Sequence, residues 1–184
     1  MVPALNVILF MLSTLFGLNT VFVAERTNLV LDFGSKTGSI EYFNLMAPVQ
    51  VVDYAKVGLQ EIDEKAEFFD GYIGLKLISK TFEEKDGRLN ASLNFSFTNQ
   101  SDILELLRFN RTQQGQDTPP DAIYYHLLPA ESLIASDGNQ DKKQDDVVLS
   151  WSADTKTIEL DLGQKANAQE LLGEMKSIAG YWTK

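Results

Sequence analysis

The sequence predicts an α+β domain: a mostly antiparallel sheet built from two hairpins, residues 72–98 and 147–162, with a C-terminal helix packed on it. Three observations predict it. Leu89, Ala91, Leu93, Phe95 and Phe97 alternate without a break with Asn90, Ser92, Asn94, Ser96 and Thr98. Val147, Leu149 and Trp151, then Ile158, Leu160 and Leu162, repeat that alternation on either side of a short polar turn. Ala168, Leu171, Leu172, Met175, Ile178, Ala179 and Trp182 fall at helical spacing. Alternation of period two marks half-buried strands, and recurrence at three and four residues marks one face of a helix.

The chain has 184 residues and is 44% hydrophobic, enough for one domain with its own core, expected over residues 27–184. Residues 1–24 carry no charged side chain, Val7 to Leu18 is strongly apolar, and Glu25-Arg26 closes the run. This segment reads as a signal peptide or a membrane anchor, in preference to a buried helix of the fold. It departs from both patterns in detail. No Lys or Arg precedes the apolar run, cleavage after Ala24 places bulky Phe22 where a small residue belongs, and Asn6, Ser13, Thr14, Asn19 and Thr20 interrupt an anchor. The expected location is extracytoplasmic: periplasmic, secreted or membrane-anchored.

Asn28 to Phe33 and Ser39 to Leu45 read as short strands around the turn Gly34 to Gly38. Asp32-Phe33-Gly34 matches a kinase tripeptide without the remaining kinase motifs, and Gly34-Ser35-Lys36-Thr37 lacks the first Gly and the Gly-Lys order of a phosphate loop. Val51, Ala55, Leu59, Ile62, Ala66 and Phe69 predict a helix from about Val51 to about Phe69. Glu61, Asp63, Glu64, Glu67 and Asp70 fan around its end as a solvated acidic face, because ligands for a hard cation must converge.

In the first hairpin the turn length sets the register. A two-residue Asp86-Gly87 loop places Lys80 opposite Leu93 and Lys76 opposite Phe97, which puts charge on the apolar face. A three-residue loop, Lys85-Asp86-Gly87, places Leu77 opposite Phe95 and Leu75 opposite Phe97, and is the expected one, with Ile73, Leu75, Leu77, Leu93, Phe95 and Phe97 in the core. The polar row Asn90, Ser92, Asn94 and Ser96 reads as a wet sheet face; its sharper alternative is a recognition face of amides and hydroxyls.

Ser101 is placed to cap a short helix, Asp102 to Phe109, that buries Ile103, Leu106 and Leu107. A Gln-rich loop, Asn110 to Asp121, leads to a strand from Ala122 to Leu128. His126, the sole histidine, lies in that strand with no nucleophile motif around it and reads as a partly buried strand residue. Ser136 to Asp146 reads as a polar loop. Its Asp137, Asn139 and Asp141 match the opening of a calcium loop, but Lys142 and Val148 stand where Gly and Glu are required. In the second hairpin, an Asp154-Thr155 turn sets Trp151 opposite Ile158 and Leu149 opposite Leu160. Asn167 then caps the last helix, with Glu170 as its capping-box partner.

A net charge of -10 and a pI near 4.5 argue against a nucleic-acid partner, whose affinity comes from clustered Lys and Arg. With no Cys and one His, thiolate catalysis, Cys-ligated metals and multi-histidine metal sites are excluded. Of four sequons, at Asn90, Asn94, Asn99 and Asn110, the alternating strand produces the first two by its composition alone; the set reads as coincidence, and in a eukaryotic secretory protein as glycan acceptors on an exposed face. No catalytic residue, metal ligand or cofactor is nominated, and no ligand-binding residue is assigned. The expectation is an exported or membrane-tethered, non-catalytic domain that binds a protein partner or a small apolar ligand and meets the membrane through residues 1–24. The alternative is a hydrolase-like enzyme that uses carboxylates brought together by the fold. Tyr124, Tyr125 and Trp182 read first as core-packing aromatics; under the binding reading they are the residues that would line a cavity.

Overall fold

The computed structural model describes residues 22–53, 57–60, 74–111, 122–129, 131–143, 146–165 and 174–181. Among the described residues ten strands form two antiparallel sheets that share one apolar core. The strands are β1 (Val23–Asp32), β2 (Thr37–Pro48), β3 (Leu75–Lys85), β4 (Arg88–Phe97), β5 (Ala122–His126), β6 (Glu131–Ser136), β7 (Asn139–Lys143), β8 (Asp146–Ser152), β9 (Thr157–Gln164) and β10 (Met175–Ser177). The larger sheet runs β3-β4-β2-β1-β9-β6, with β10 on β2; the smaller runs β5-β8-β7. An α-helix, α1 (Gln100–Leu106), lies between β4 and β5. The predicted antiparallel sheet is therefore present, with few helices among the described residues.

The register of the larger sheet aligns its apolar residues into rows that cross it. One row is Leu93, Ile40, Leu29 and Leu160 on β4, β2, β1 and β9. The next is Leu77, Phe95, Gly38, Leu31 and Ile158, on β3 to β9. Cross-strand neighbours on one face touch, so each row is a continuous strip of core. The smaller sheet adds Ile123, Tyr125, Leu149 and Trp151, and α1 closes one side with Ile103, Leu104 and Leu107. Phe109 joins the layers, its ring centroid 5.1 Å from Tyr125 and 5.7 Å from Trp151.

The first hairpin holds, but its turn is not the expected one. Asp86 and Gly87 both take positive φ, 53° and 71°, and Lys85 pairs with Arg88, which defines a two-residue loop. Two left-handed residues match the right-handed twist of the strands better than a three-residue loop does. The register penalty is removed at Lys76 only. A β-bulge between Leu77 and Ser79 inserts Ile78, so Leu77 still meets Phe95 and Leu75 still meets Phe97. Lys80 does lie opposite Leu93, on the core face at the sheet edge, where it is half-buried. Ile73 lies outside the described residues.

The second hairpin is corrected. β8 and β9 both form, but β8 pairs with β5 and β7 while β9 pairs with β1 and β6. Trp151 therefore faces Ile123 rather than Ile158, and Leu149 faces Tyr125 rather than Leu160. Alternation says which face is buried but not which strand lies alongside. The connection across residues 153–156 carries the chain from one sheet to the other. The polar loop expected over 136–146 contains strand β7.

The C-terminal helix is corrected over its described part. Met175–Ser177 is a strand on β2, and Ala179–Tyr181 is a single 3-10 turn. The N–H of Ile178 donates to the carbonyl of Leu45, and that of Val49 to the carbonyl of Glu174. The backbone of β2 beyond its pairing with β4 thus captures a segment whose Ile178 and Ala179 are buried in either conformation. The capping pair Asn167 and Glu170, and Trp182, lie outside the described residues. So do residues 1–21 and the acidic cluster at 61–70; of the helix expected over 51–69, residues 52–53 and 57–60 are helical. Helix α1 starts earlier than expected. Asn99, not Ser101, is its cap and accepts the Ser101 N–H at 2.9 Å. It ends with Arg108 at φ 66°, the N–H of Phe109 reaching back to the Leu104 carbonyl in a Schellman closure.

Candidate functional site

The side of the larger sheet that faces away from the core carries the polar row of the first hairpin, continued by each neighbouring strand. Ser92 pairs with Glu41, Glu41 with Asn28, and Asn28 with Asp161. Asn94, Ser39, Val30 and Glu159 form the next row. The hairpin row is thus one part of a polar face four strands wide.

Near one end of this face the chemistry changes. Arg26 on β1 lies opposite Phe43 on one side and Gly163 on the other. Its guanidinium sits over the Phe43 ring, 5.2 Å from the centroid. It makes a two-pronged ion pair with Asp161, Nε to Oδ1 at 2.8 Å and Nη2 to Oδ2 at 2.5 Å. The Asp161 side chain is only 8% exposed whereas that of Arg26 is 48% exposed. The buried carboxylate therefore fixes a guanidinium that remains open to solvent. A planar fork held at two points loses its rotamer freedom before any partner arrives. The neighbouring carboxylate also pushes the Arg26 pKa above its ordinary value, so the charge is permanent.

Ile134 completes the patch. It is the extra residue of a second bulge, between Leu133 and Ala135 on β6, and is 51% exposed. Its side chain lies along Gly163: a Cβ built there would stand 3.0 Å from Ile134 Cδ1. Phe43, Arg26, Gly163 and Ile134 thus form a strip across β2, β1, β9 and β6, with Asp161 beneath. Sequence reasoning missed all of these as site residues. Arg26 read as the end of the apolar segment, and Ile134 becomes exposed only through a bulge that no local motif announces. The legible signal is slight: a single Arg in the polar stretch Glu25 to Asn28 of β1.

The residues singled out from sequence have other roles. Tyr124 is buried, and its backbone exchanges hydrogen bonds with Asn110. Tyr125 is buried and its hydroxyl donates to both oxygens of Glu131, each at 3.2 Å. His126 is exposed at the end of β5 rather than partly buried. Asp32 accepts the N–H groups of Ser35 and Gly34, and these hydrogen bonds lower its pKa; this makes the kinase-like tripeptide a turn. Asp137 Oδ1 accepts the Trp151 indole N–H at 2.6 Å and the Glu159 N–H at 2.9 Å, which spends it on structure. Among the described residues no three His, Cys, Asp or Glu side chains converge as a metal site. The sequon residues Asn90, Asn94 and Asn99 each use their amide group within the fold, with Asn44, Ser79 and Asp102 respectively, while Asn110 is exposed. Glu131 has its pKa raised, chiefly by burial. No helix of the described residues is long and apolar enough to cross a membrane.

Searches against protein-family models, curated proteins and solved structures found no match.

Proposed function

We propose that this chain is an exported or membrane-tethered binding domain whose larger sheet receives a protein partner on the Phe43–Arg26–Ile134 strip. The observation that carries this reading is the Arg26 guanidinium, fixed by the nearly buried Asp161 over Phe43 and flanked by an exposed Ile134. Arg and aromatic side chains in a rigid centre, ringed by polar groups, are the composition of an interface hot spot. The amides and hydroxyls of Asn28, Ser39, Ser92 and Asn94 supply the polar rim. Guanidinium donors not used by Asp161 suit a carboxylate or backbone carbonyl on the partner, and Ile134 suits an apolar side chain. The apolar, uncharged residues 1–24 support export or tethering.

Two measurements test this. The intact mass of the native protein in soluble and membrane fractions is expected to lack the first twenty-odd residues, or to be full-length in membranes only. A full-length soluble mass would remove the export part of the reading. The native protein is expected to migrate in a complex larger than one chain, and Arg26→Ala is expected to reduce its association at least tenfold, a change worth about 1.4 kcal/mol. An unchanged complex in Arg26→Ala and Ile134→Asp would remove the strip from the interface.

A further inference from the structure

Strand β6 is an outer strand of the larger sheet, paired there with β9, and it is tied to the smaller sheet at both ends. At its far end Asp137 accepts the indole N–H of Trp151 on β8. At its start Glu131 accepts the Tyr125 hydroxyl of β5 at both carboxylate oxygens, and the Leu128 N–H at 3.0 Å. The N–H of Glu131 returns a bond to the Leu128 carbonyl at 3.0 Å, which closes the connection between the sheets. The Glu131 residue is 1% exposed, and Tyr125 is 2% exposed.

We propose that Glu131 is a proton-operated clasp between the two sheets: uncharged, it holds Tyr125 and the Leu128 backbone in place, and on losing its proton it loosens that corner. The physical reason is the dryness of the site. A carboxylate at this depth gives up hydration that two hydrogen-bond donors only partly replace, so the charged form gains by opening to water. Burial is the dominant influence on Glu131 and raises its pKa. The opposing influences are the Leu128 N–H, the Tyr125 hydroxyl, and the positive charges of Arg108 after α1 and Lys165 after β9. Tyr125 is itself pushed up by burial and by Glu131, so it stays a donor while Glu131 titrates. Folded Glu131 keeps its proton at pH values where unfolded Glu131 has lost it. Its contribution to stability is therefore full below the ordinary glutamate range and falls as pH rises toward the raised value.

The test is amide hydrogen exchange of the full chain across a pH series, corrected for intrinsic exchange, together with the carboxyl titration of Glu131 followed by carbon NMR. The expected titration midpoint lies above the ordinary glutamate range. Protection at Leu128 and Glu131 is expected to fall as pH rises from the ordinary glutamate range toward that midpoint, by as much as tenfold per pH unit, the slope for one linked proton, and to level off above it. Glu131→Gln keeps an acceptor for Leu128 and a partner for Tyr125 without a titrating group, and is expected to remove the pH dependence while the wild-type plateau at low pH is retained. A Glu131 midpoint in the ordinary range overturns the proposal, and that readout needs no variant. Equal pH dependence in wild type and Glu131→Gln overturns it as well.

Discussion

Tyr42 shows how a single side chain departs from the consistency of the core around it. It lies opposite Thr27 on the core face, and neither hydroxyl has a hydrogen-bond partner. Burial alone pushes the Tyr42 ionisation far above its ordinary range. An unpaired dry hydroxyl costs about 1–3 kcal/mol relative to one that is bonded, and removing it at constant shape recovers part of that cost. Tyr42→Phe is therefore expected to leave stability unchanged or raise it by up to about 1 kcal/mol in urea denaturation. A loss of more than that would show that the hydroxyl has a partner in solution. Such a residue is not legible in the sequence, because Tyr42 fits the alternation of β2 as well as Ile40 does. Arg26 is different. Its charge is visible in β1, but the buried carboxylate that fixes it arrives from β9, 135 positions away in the chain.

At the scale of the element, both strands of the first hairpin were legible, and so was the burial of Leu93, Phe95 and Phe97, while Leu75 and Leu77 are only partly buried. The turn was not, because two devices give the same pairing at Phe95 and Phe97. A three-residue loop does so directly; a two-residue loop does so with a bulge later on. The bulge has a second consequence. β3 is an outer strand, and Ile78 interrupts the row of backbone groups that it presents to solvent. Deletion of Ile78 leaves Ser79 opposite Asn94 and Leu77 opposite Phe95, so the hairpin is expected to fold with its register intact. The edge it presents is then regular, and the variant is expected to self-associate at concentrations where the parent does not, as read by size-exclusion chromatography. An unfolded variant would mean that the bulge sets the register rather than accommodating it. Asn44 is a related case. At φ 53° it breaks the alternation of β2, so that Ile40 and Tyr42 are buried before it and Leu45 and Ala47 after it. Its N–H goes to Asn90 Oδ1 and its amide to Glu25, partners that no local pattern assigns.

At the scale of the whole molecule, sequence periodicity indicated antiparallel strands around one core but not their distribution between two sheets. Trp151 and Ile158 each alternate correctly, yet they bury their faces from opposite sheets. The polar turn between them is compatible with a hairpin and with a crossing. The last segment shows the same limit: Met175, Ile178 and Ala179 satisfy helical spacing, and the unpaired edge of β2 decides for strand. The strip of Phe43, Arg26 and Ile134 exists only at this scale, since it needs β2, β1, β9 and β6 in that order. Its role is tested most directly by photo-crosslinking in the native host, with the crosslinker at Ser92 on the polar face and, as control, at Glu84 near the hairpin turn. The account predicts one discrete crosslinked protein from position 92, none from position 84, and loss of the product when Arg26→Ala is added. Crosslinks from position 92 that are absent, or that persist undiminished in Arg26→Ala, would contradict it.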